Sequence, residues 1–197
     1  MTEWRFATAL AACVIVFGVS TSSAQDGWRT VVLGSNPDVT ISLPLVVVDL
    51  HRGGVERPDV LMAFSLSAIG EGDLFCQVNR VTFPAGFNQA SVATTFANAP
   101  DKLCNKAGPT ISGANPLGSK SFTQNDLAAT RCFTSYTDSA KESPGVVHSQ
   151  MTIVADSHIY TLVCVASHED QDAAETSWFL FWEDTDEEMH RSFFVGR

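Results

Sequence analysis

Two apolar stretches in the last third of the chain decide the fold: Val146-Val-His-Ser-Gln-Met-Thr-Ile-Val-Ala155 and His158-Ile-Tyr-Thr-Leu-Val-Cys-Val-Ala166. Both are rich in β-branched residues, and Asp156-Ser157 between them has the composition of a two-residue turn. The pattern therefore predicts an antiparallel hairpin. The second stretch is apolar on both of its faces, which is typical of a strand inside a sheet.

The next segment predicts a long amphipathic helix over residues 173–190. Asp172 and Glu175 have the D-x-x-E spacing of a helix cap. Apolar residues then recur at spacings of three and four: Ala174, Trp178, Phe181, Trp182, Thr185 and Met189. The other side is acidic, with Glu183, Asp184, Asp186, Glu187 and Glu188. We interpret these acids as a solvated face, or alternatively as a surface that attracts a basic partner.

The rest of the chain predicts mostly strands. Strands are expected from Trp28, over 38–44, in a hairpin over 60–83, and over 123–136. Residues 45–50 either continue the second strand or form a separate edge. Asn88 is expected to cap a short helix that ends before Pro100, and the residues 105–120, rich in Gly and Pro, predict an exposed loop.

The order of these elements resembles the PsbP-like superfamily, which includes the extrinsic photosystem II subunit, the Ran-binding Mog proteins and the DcrB-type bacterial lipoproteins. Tyr160-Thr161-Leu162, the helix followed by Ser192-Phe193, and Leu43-Pro44 carry the resemblance. It implies an α+β fold, in which an antiparallel sheet has helices packed on both faces as an α/β/α sandwich. It also implies a binding or accessory role rather than an enzyme. Cysteines are not part of the family pattern.

The N-terminus predicts an export signal. Arg5 precedes an apolar run, and Ser22 and Ala24 occupy the −3 and −1 positions of a cleavage site. Residues 1–24 are thus expected to be removed, which leaves a single domain over 25–197 in the periplasm or outside the cell. Alternatively, Leu10-Ala11-Ala12-Cys13 resembles a lipobox, which would anchor a lipoprotein through Cys13. The apolar run is shorter than the roughly 20 residues of a membrane-spanning helix.

Four cysteines follow the expected cleavage site: Cys76, Cys104, Cys132 and Cys164. An even number in an exported chain predicts two disulfides. If the strands over 123–136, 146–155 and 158–166 are consecutive neighbours, Cys132 and Cys164 lie about 10 Å apart, whereas a disulfide needs Cα atoms within about 7 Å. We therefore prefer Cys76–Cys164 together with Cys104–Cys132.

Charge and motifs exclude several functions. The chain has 12 Lys and Arg against 22 Asp and Glu, a net charge of −10, so it lacks the basic footprint of a nucleic-acid binder. It has no nucleophile elbow, and no catalytic residue is assigned. Oxygen ligands in His168-Glu169-Asp170 and Asp172 suggest a cation site, with Glu187, Glu188 and His190 as possible additions, but we favour a solvated loop and assign no metal.

The histidines His51, His148, His158, His168 and His190 have no metal-ligand spacing, although His148 and His158 are candidates to face one another across the hairpin. We expect edge or surface positions for them. The sequence thus predicts an exported, non-catalytic binding or accessory module of the bacterial cell envelope. It is expected to bind an unknown protein, with Glu183, Asp184, Glu187 and Glu188 as the interaction face, and to need no cofactor. The alternative is a periplasmic protein that binds a small molecule or metal.

Overall fold

The computed structural model describes residues 27–35, 37–53, 58–68, 72–83, 86, 88–98, 114–137, 145–155 and 157–196. In this part of the chain, ten strands form two antiparallel sheets. The strands are β1 (Trp28–Ser35), β2 (Asp38–Pro44), β3 (Val47–Arg52), β4 (Val60–Ala68), β5 (Gly72–Thr82), β6 (Asn115–Gln124), β7 (Leu127–Thr137), β8 (Gly145–Ala155), β9 (His158–His168) and β10 (Phe194–Val195). The helices are α1 (Gln89–Asn98), α2 (Gln171–Ser177) and α3 (Glu183–Ser192), and a π-helical turn, Trp178–Trp182, joins α2 to α3.

The larger sheet has seven strands in the order β3-β4-β5-β9-β8-β7-β6. The predicted hairpin is confirmed, because Ala155 lies opposite His158 and two residues are left for the turn. The interior position of β9 is also confirmed, since it pairs with β5 on one side and β8 on the other. Residues 45–50 do not continue β2, because β3 forms a separate edge strand of this sheet.

One face of the larger sheet holds the core. The smaller sheet, β1-β2-β10, and the helical segment 171–192 contribute to the same buried cluster as the strands beneath them. Ile41, Leu162 and Trp178 are completely buried in it. Gly145 allows a close approach at one end, because a Cβ atom there would collide with the carbonyl oxygen of Asp170.

The residues that carry the sequence resemblance have direct roles in this arrangement. Tyr160 and Leu162 are fully buried, and so is Phe193. The Ser192 hydroxyl accepts a hydrogen bond of 3.0 Å from the backbone N–H of Ser42 in β2. Ser192-Phe193 therefore fastens the end of α3 to the smaller sheet.

The predicted disulfide between Cys76 and Cys164 is confirmed. The two residues lie directly opposite one another on β5 and β9, and both are completely buried. Cys132 is on β7, two strands from Cys164 as expected. Cys104 lies outside the described residues, so the two predicted disulfides are not both supported and Cys104–Cys132 stays a prediction.

The expected layers of helices on both faces are not supported by the described residues. The helical segment 171–192 supplies the packed layer on one face. Asn88 caps α1 as predicted, because its Oδ1 accepts from the backbone N–H groups of Ala90 and Ser91 at 3.0 and 3.3 Å. α1 lies against β6, β7 and β8, but none of the side chains described in it is buried.

The prediction for residues 105–136 is partly wrong. Asn115–Gln124 is the edge strand β6 rather than the end of a loop, and residues 105–113 lie outside the described part of the chain. The predicted strand over 123–136 is interrupted at Asn125 and Asp126, which have φ values of 51° and 61°. Asn and Asp tolerate this left-handed conformation better than other side chains, and two such residues form a tight hairpin turn.

The C-terminal helical segment starts earlier than predicted. Its N-cap is Asp170 rather than Asp172, since an Asp170 carboxylate oxygen accepts a hydrogen bond of 2.8 Å from the backbone N–H of Ala173. Phe181, predicted to be in the core, is exposed. None of the helices in the described part of the chain has the length and hydropathy of a membrane-spanning helix.

Candidate functional site

The π-helical turn exposes three large apolar side chains in succession. Trp178 and Trp182 at its ends are buried, as predicted. Between them, Phe179, Leu180 and Phe181 are 49%, 69% and 44% exposed. We call these three residues the apolar turn. Contiguous exposed apolar side chains are uncommon on a folded domain, so a cluster of this kind indicates a contact surface.

Acidic residues flank the apolar turn. Glu183 and Asp184 follow it directly in the sequence and are exposed. On the other side, a shallow hollow of about 450 Å³ is lined by Leu180 and Phe181 together with His168, Asp170 and Asp172. The apolar turn is thus bordered by carboxylates at both ends, and the surface combines apolar contact area with negative charge.

The predicted interaction face is divided by the structure. Glu187 and Glu188 are half-buried and contact bases: Glu187 Oε1 lies 4.0 Å from Arg131 Nη1 and 3.9 Å from Arg191 Nη2, and Glu188 Oε2 lies 2.7 Å from Arg191 Nη1. Glu183 and Asp184, by contrast, stand beside the apolar turn. These two acids are therefore the better placed to meet a partner.

Asp186, which the sequence analysis placed on the acidic side of the helix, is completely buried. Its Oδ2 accepts a hydrogen bond of 2.9 Å from Arg131 Nη2 in β7 and one of 2.8 Å from the Ser149 hydroxyl in β8. The Arg131 guanidinium also stacks 4.4 Å from the centre of the Phe133 ring. Asp186 thus joins α3 to the middle of the larger sheet.

Burial shifts the pKa values of Asp186 and His190. Burial raises the pKa of Asp186 to about 6, although the positive charge of Arg131 acts in the opposite direction. His190 lies beside it, with Nδ1 3.3 Å from Asp186 Oδ2. Burial, with the positive charges of Arg131 and Lys120, lowers the pKa of His190 well below its usual value. His190 is therefore a neutral ring at pH 7.

His190 contradicts the expectation of surface positions for the histidines, since it is 3% exposed. The sequence contains a pattern that identifies both Asp186 and His190 as buried. Trp178, Trp182, Asp186 and His190 follow one another at intervals of four, which places them along one face of a helix. The apolar residues Trp178 and Trp182 mark that face as the buried one.

The other side chains that the sequence suggested for acid-base or metal chemistry do not come together in one site within the described residues. His148 lies opposite Val165, so the expectation that it faces His158 is wrong. Burial lowers the pKa of His148. In the loop before α2, His168 Nδ1 accepts from the backbone N–H of Glu169 at 2.9 Å, and Asp170 is the helix cap. Within the described ranges, no three His, Cys, Asp or Glu side chains are grouped as metal ligands are.

The fold is that of the PsbP-like and Mog1 proteins. The chain is similar to cyanobacterial PsbP (CyanoP) from Synechocystis sp. PCC 6803, with a TM-score of 0.53 and 13% identity over 91% of this chain and 98% of that one. It is similar to the Ran-binding protein Mog1p of Saccharomyces cerevisiae, with a TM-score of 0.52 and 11% identity over 85% and 95% of the two chains.

A third similar structure is LpqN of Mycobacterium tuberculosis, which is described as involved in cell envelope biogenesis. Its TM-score is 0.50 and its identity 15%, over 86% of this chain and 92% of that one. No protein-family profile and no curated protein matches the sequence. The resemblance drawn from the sequence is thereby confirmed for the fold.

Proposed function

We propose that this protein is an exported, non-catalytic module of the cell envelope that binds a partner protein through the apolar turn and the adjoining Glu183 and Asp184. The observation that carries the proposal is the exposure of Phe179, Leu180 and Phe181 in one turn of helix. Aromatic and other large apolar side chains in the middle of an interface contribute most of its binding energy.

The charges around the turn define the partner. Carboxylates border the apolar side chains, and the chain as a whole has a net charge of −10. A complementary partner presents an apolar side chain flanked by Lys or Arg, because opposite charges at the rim speed association and orient the complex. The descriptions of Mog1p as Ran-binding and of LpqN as involved in envelope biogenesis support a binding module of this kind.

Export rests on the sequence of residues 1–24. The buried disulfide between Cys76 and Cys164 supports it, because stable disulfides belong to oxidising compartments. The absence of a catalytic assignment rests on the sequence, which has no nucleophile elbow.

The test compares two single substitutions at phenylalanines of similar exposure. Phe181 in the apolar turn is 44% exposed, and Phe75 on β5 is 46% exposed. Tagged wild type, Phe181→Ser and Phe75→Ser are crosslinked in the native envelope and secreted fractions, and bound proteins are identified. We expect a partner that is retained by Phe75→Ser and reduced about tenfold by Phe181→Ser.

A second variant tests the charges. Glu183→Lys with Asp184→Lys should abolish capture of the same partner, and the effect of the wild-type charges should weaken as salt is raised. If the three variants capture the same proteins in equal amounts, the apolar turn is not the binding surface and the proposal is wrong.

A further inference from the structure

A second hollow, separate from the apolar turn, lies between β6, β7 and α3. Its volume is about 310 Å³, which is at the lower end of the range for small-molecule sites. It is lined by Lys120, Phe122, Gln124, Arg131, Glu187, His190 and Arg191. Strand β6 provides one wall, and α3 provides the other.

Positive charge is concentrated in this hollow. The described part of the chain contains six Lys and Arg residues, and three of them, Lys120, Arg131 and Arg191, line this one space. Glu187 is the single carboxylate in the lining, and it lies within 4.0 Å of both arginines. In a chain with a net charge of −10, such a grouping is expected where an anion binds.

The floor of the hollow has hydrogen-bonding capacity that the protein does not use. Arg131 and His190 are 6% and 3% exposed. Arg131 Nε has no hydrogen-bond partner within the described residues. Of the two ring nitrogens of the neutral His190, Nδ1 faces Asp186 Oδ2 at 3.3 Å, so the unused donor at the floor is Arg131 Nε. Buried donors of this kind are rare, because each unmade hydrogen bond costs about 1–3 kcal/mol. An acceptor oxygen of a bound molecule would supply the missing partner.

We propose that this hollow binds a small organic monocarboxylate. Its carboxylate would lie between Lys120 and Arg131, and its apolar part against Phe122. Arginine and lysine bind carboxylates through charge-assisted hydrogen bonds, which are about twice as strong as neutral ones.

The pairing of charges favours a single negative charge on the ligand. Arg131 pairs with Asp186, and Arg191 lies 3.9 Å from Glu187 and 2.7 Å from Glu188. Lys120 forms no ion pair with a carboxylate of the described residues, so one base is left for one carboxylate of a ligand. A dianion such as phosphate would place excess negative charge beside Glu187 in a partly enclosed space.

The experiment titrates the purified protein with hexanoate by calorimetry and by thermal unfolding. Hexylamine, which has the same chain and the opposite charge, and inorganic phosphate are titrated in parallel. Lys120→Gln removes a base at the hollow, and Arg29→Gln removes one from another exposed position, on β1. We expect saturable binding of hexanoate with a rise in Tm, a loss of about tenfold in affinity in Lys120→Gln, and no change in Arg29→Gln.

Three results would overturn the proposal. The first is an absence of saturable hexanoate binding by wild type. The second is equal affinity in Lys120→Gln and Arg29→Gln, which would place any binding elsewhere. The third is binding of phosphate or hexylamine as tight as that of hexanoate. Lys120 is exposed, so its substitution should leave the unfolding midpoint unchanged, and that midpoint is measured as the folding control.

Discussion

Arg131 Nη2 lies 2.9 Å from Asp186 Oδ2, and the two side chains form a buried ion pair between β7 and α3. The Ser149 hydroxyl in β8 donates a hydrogen bond to the same carboxylate oxygen. The pair therefore connects the C-terminal helix with two neighbouring strands. It also forms part of the floor beneath the hollow beside Lys120.

Removal of the Asp186 carboxylate should strongly destabilise the fold. Asp186→Ala leaves the buried Arg131 without its partner, and breaking such a pair costs about 3–5 kcal/mol. Urea unfolding at pH 7 measures this loss. The matched control is Asp184→Ala, which removes an exposed carboxylate two residues away in the same helix and should change the free energy of unfolding by less than about 0.5 kcal/mol. Similar effects of the two substitutions would contradict the role of the pair.

The titration of Asp186 should stabilise the fold as the pH falls. The folded pKa is about 6, above the ordinary value of 3.8, so the folded state binds this proton more tightly than the unfolded state does. The resulting stability is fully present below pH 3.8 and is lost as the pH rises through about 6. Asp186→Asn cannot titrate. Urea unfolding between pH 4 and 7 should therefore show that the free energy of unfolding of wild type increases, relative to that of Asp186→Asn, as the pH is lowered.

His190 should act in the opposite direction. Its folded pKa is lowered well below 6.5, so the unfolded state takes up this proton first, and the contribution to stability is lost as the pH falls below 6.5. His190→Gln cannot take up this proton, so the variant lacks this loss of stability at low pH. Its free energy of unfolding should fall less than that of wild type between pH 7 and 5. A parallel pH dependence of the two proteins would show that His190 does not titrate in this way.

The disulfide should contribute substantially to stability. Cys76 and Cys164 are 88 residues apart, and in the chain-entropy treatment a loop of that length is worth about 4.6 kcal/mol. The double substitution Cys76→Ala with Cys164→Ala should lower the free energy of unfolding by about this amount, measured in urea without reductant. A non-reducing peptide map of wild type should recover Cys76 joined to Cys164, and recovery of Cys132 joined to Cys164 would contradict the fold.

The N-terminal prediction is tested by the intact mass of protein from the native host. Cleavage after Ala24 gives a chain that begins at Gln25, without added acyl groups. A chain that begins at an acylated Cys13 would instead establish the lipoprotein. A full-length mass would exclude both forms of processing.

The sequence predicted the parts of the fold that depend on local pattern. The alternation in β9 and the two-residue turn before it placed Cys164 on an interior strand. The order of the three consecutive strands put Cys132 too far from Cys164 to pair with it, and Cys76 was the preferred partner. Strand β6 was missed because Pro116 and Gly118 are typical of loops. Both lie on an edge strand, beside an irregularity in its pairing with β7, where such residues are tolerated.

The candidate sites were harder to predict from the sequence. Asp186 is one of several acidic residues in the same helix, and only its interval of four residues from Trp182 indicates that it is buried. In the hollow beside Lys120, Lys120 and Arg131 lie opposite one another on the hairpin of β6 and β7, whereas Arg191 comes from the distant helix α3. The local sequence contains no information on this assembly, because it depends on how α3 meets the hairpin.

The pairing of β5 with β9 has a consequence for how the protein matures. Among the described strands of the larger sheet, all other neighbours are consecutive in the chain, and this junction alone joins the β3–β5 block to the β6–β9 block. The bond between Cys76 and Cys164 lies at that junction. In a chain that enters an oxidising compartment N-terminus first, Cys76 arrives long before its partner, and Cys104 and Cys132 arrive in between. If the first two of these cysteines to arrive pair as Cys76–Cys104, the native crosslink is reached only through a later thiol–disulfide exchange.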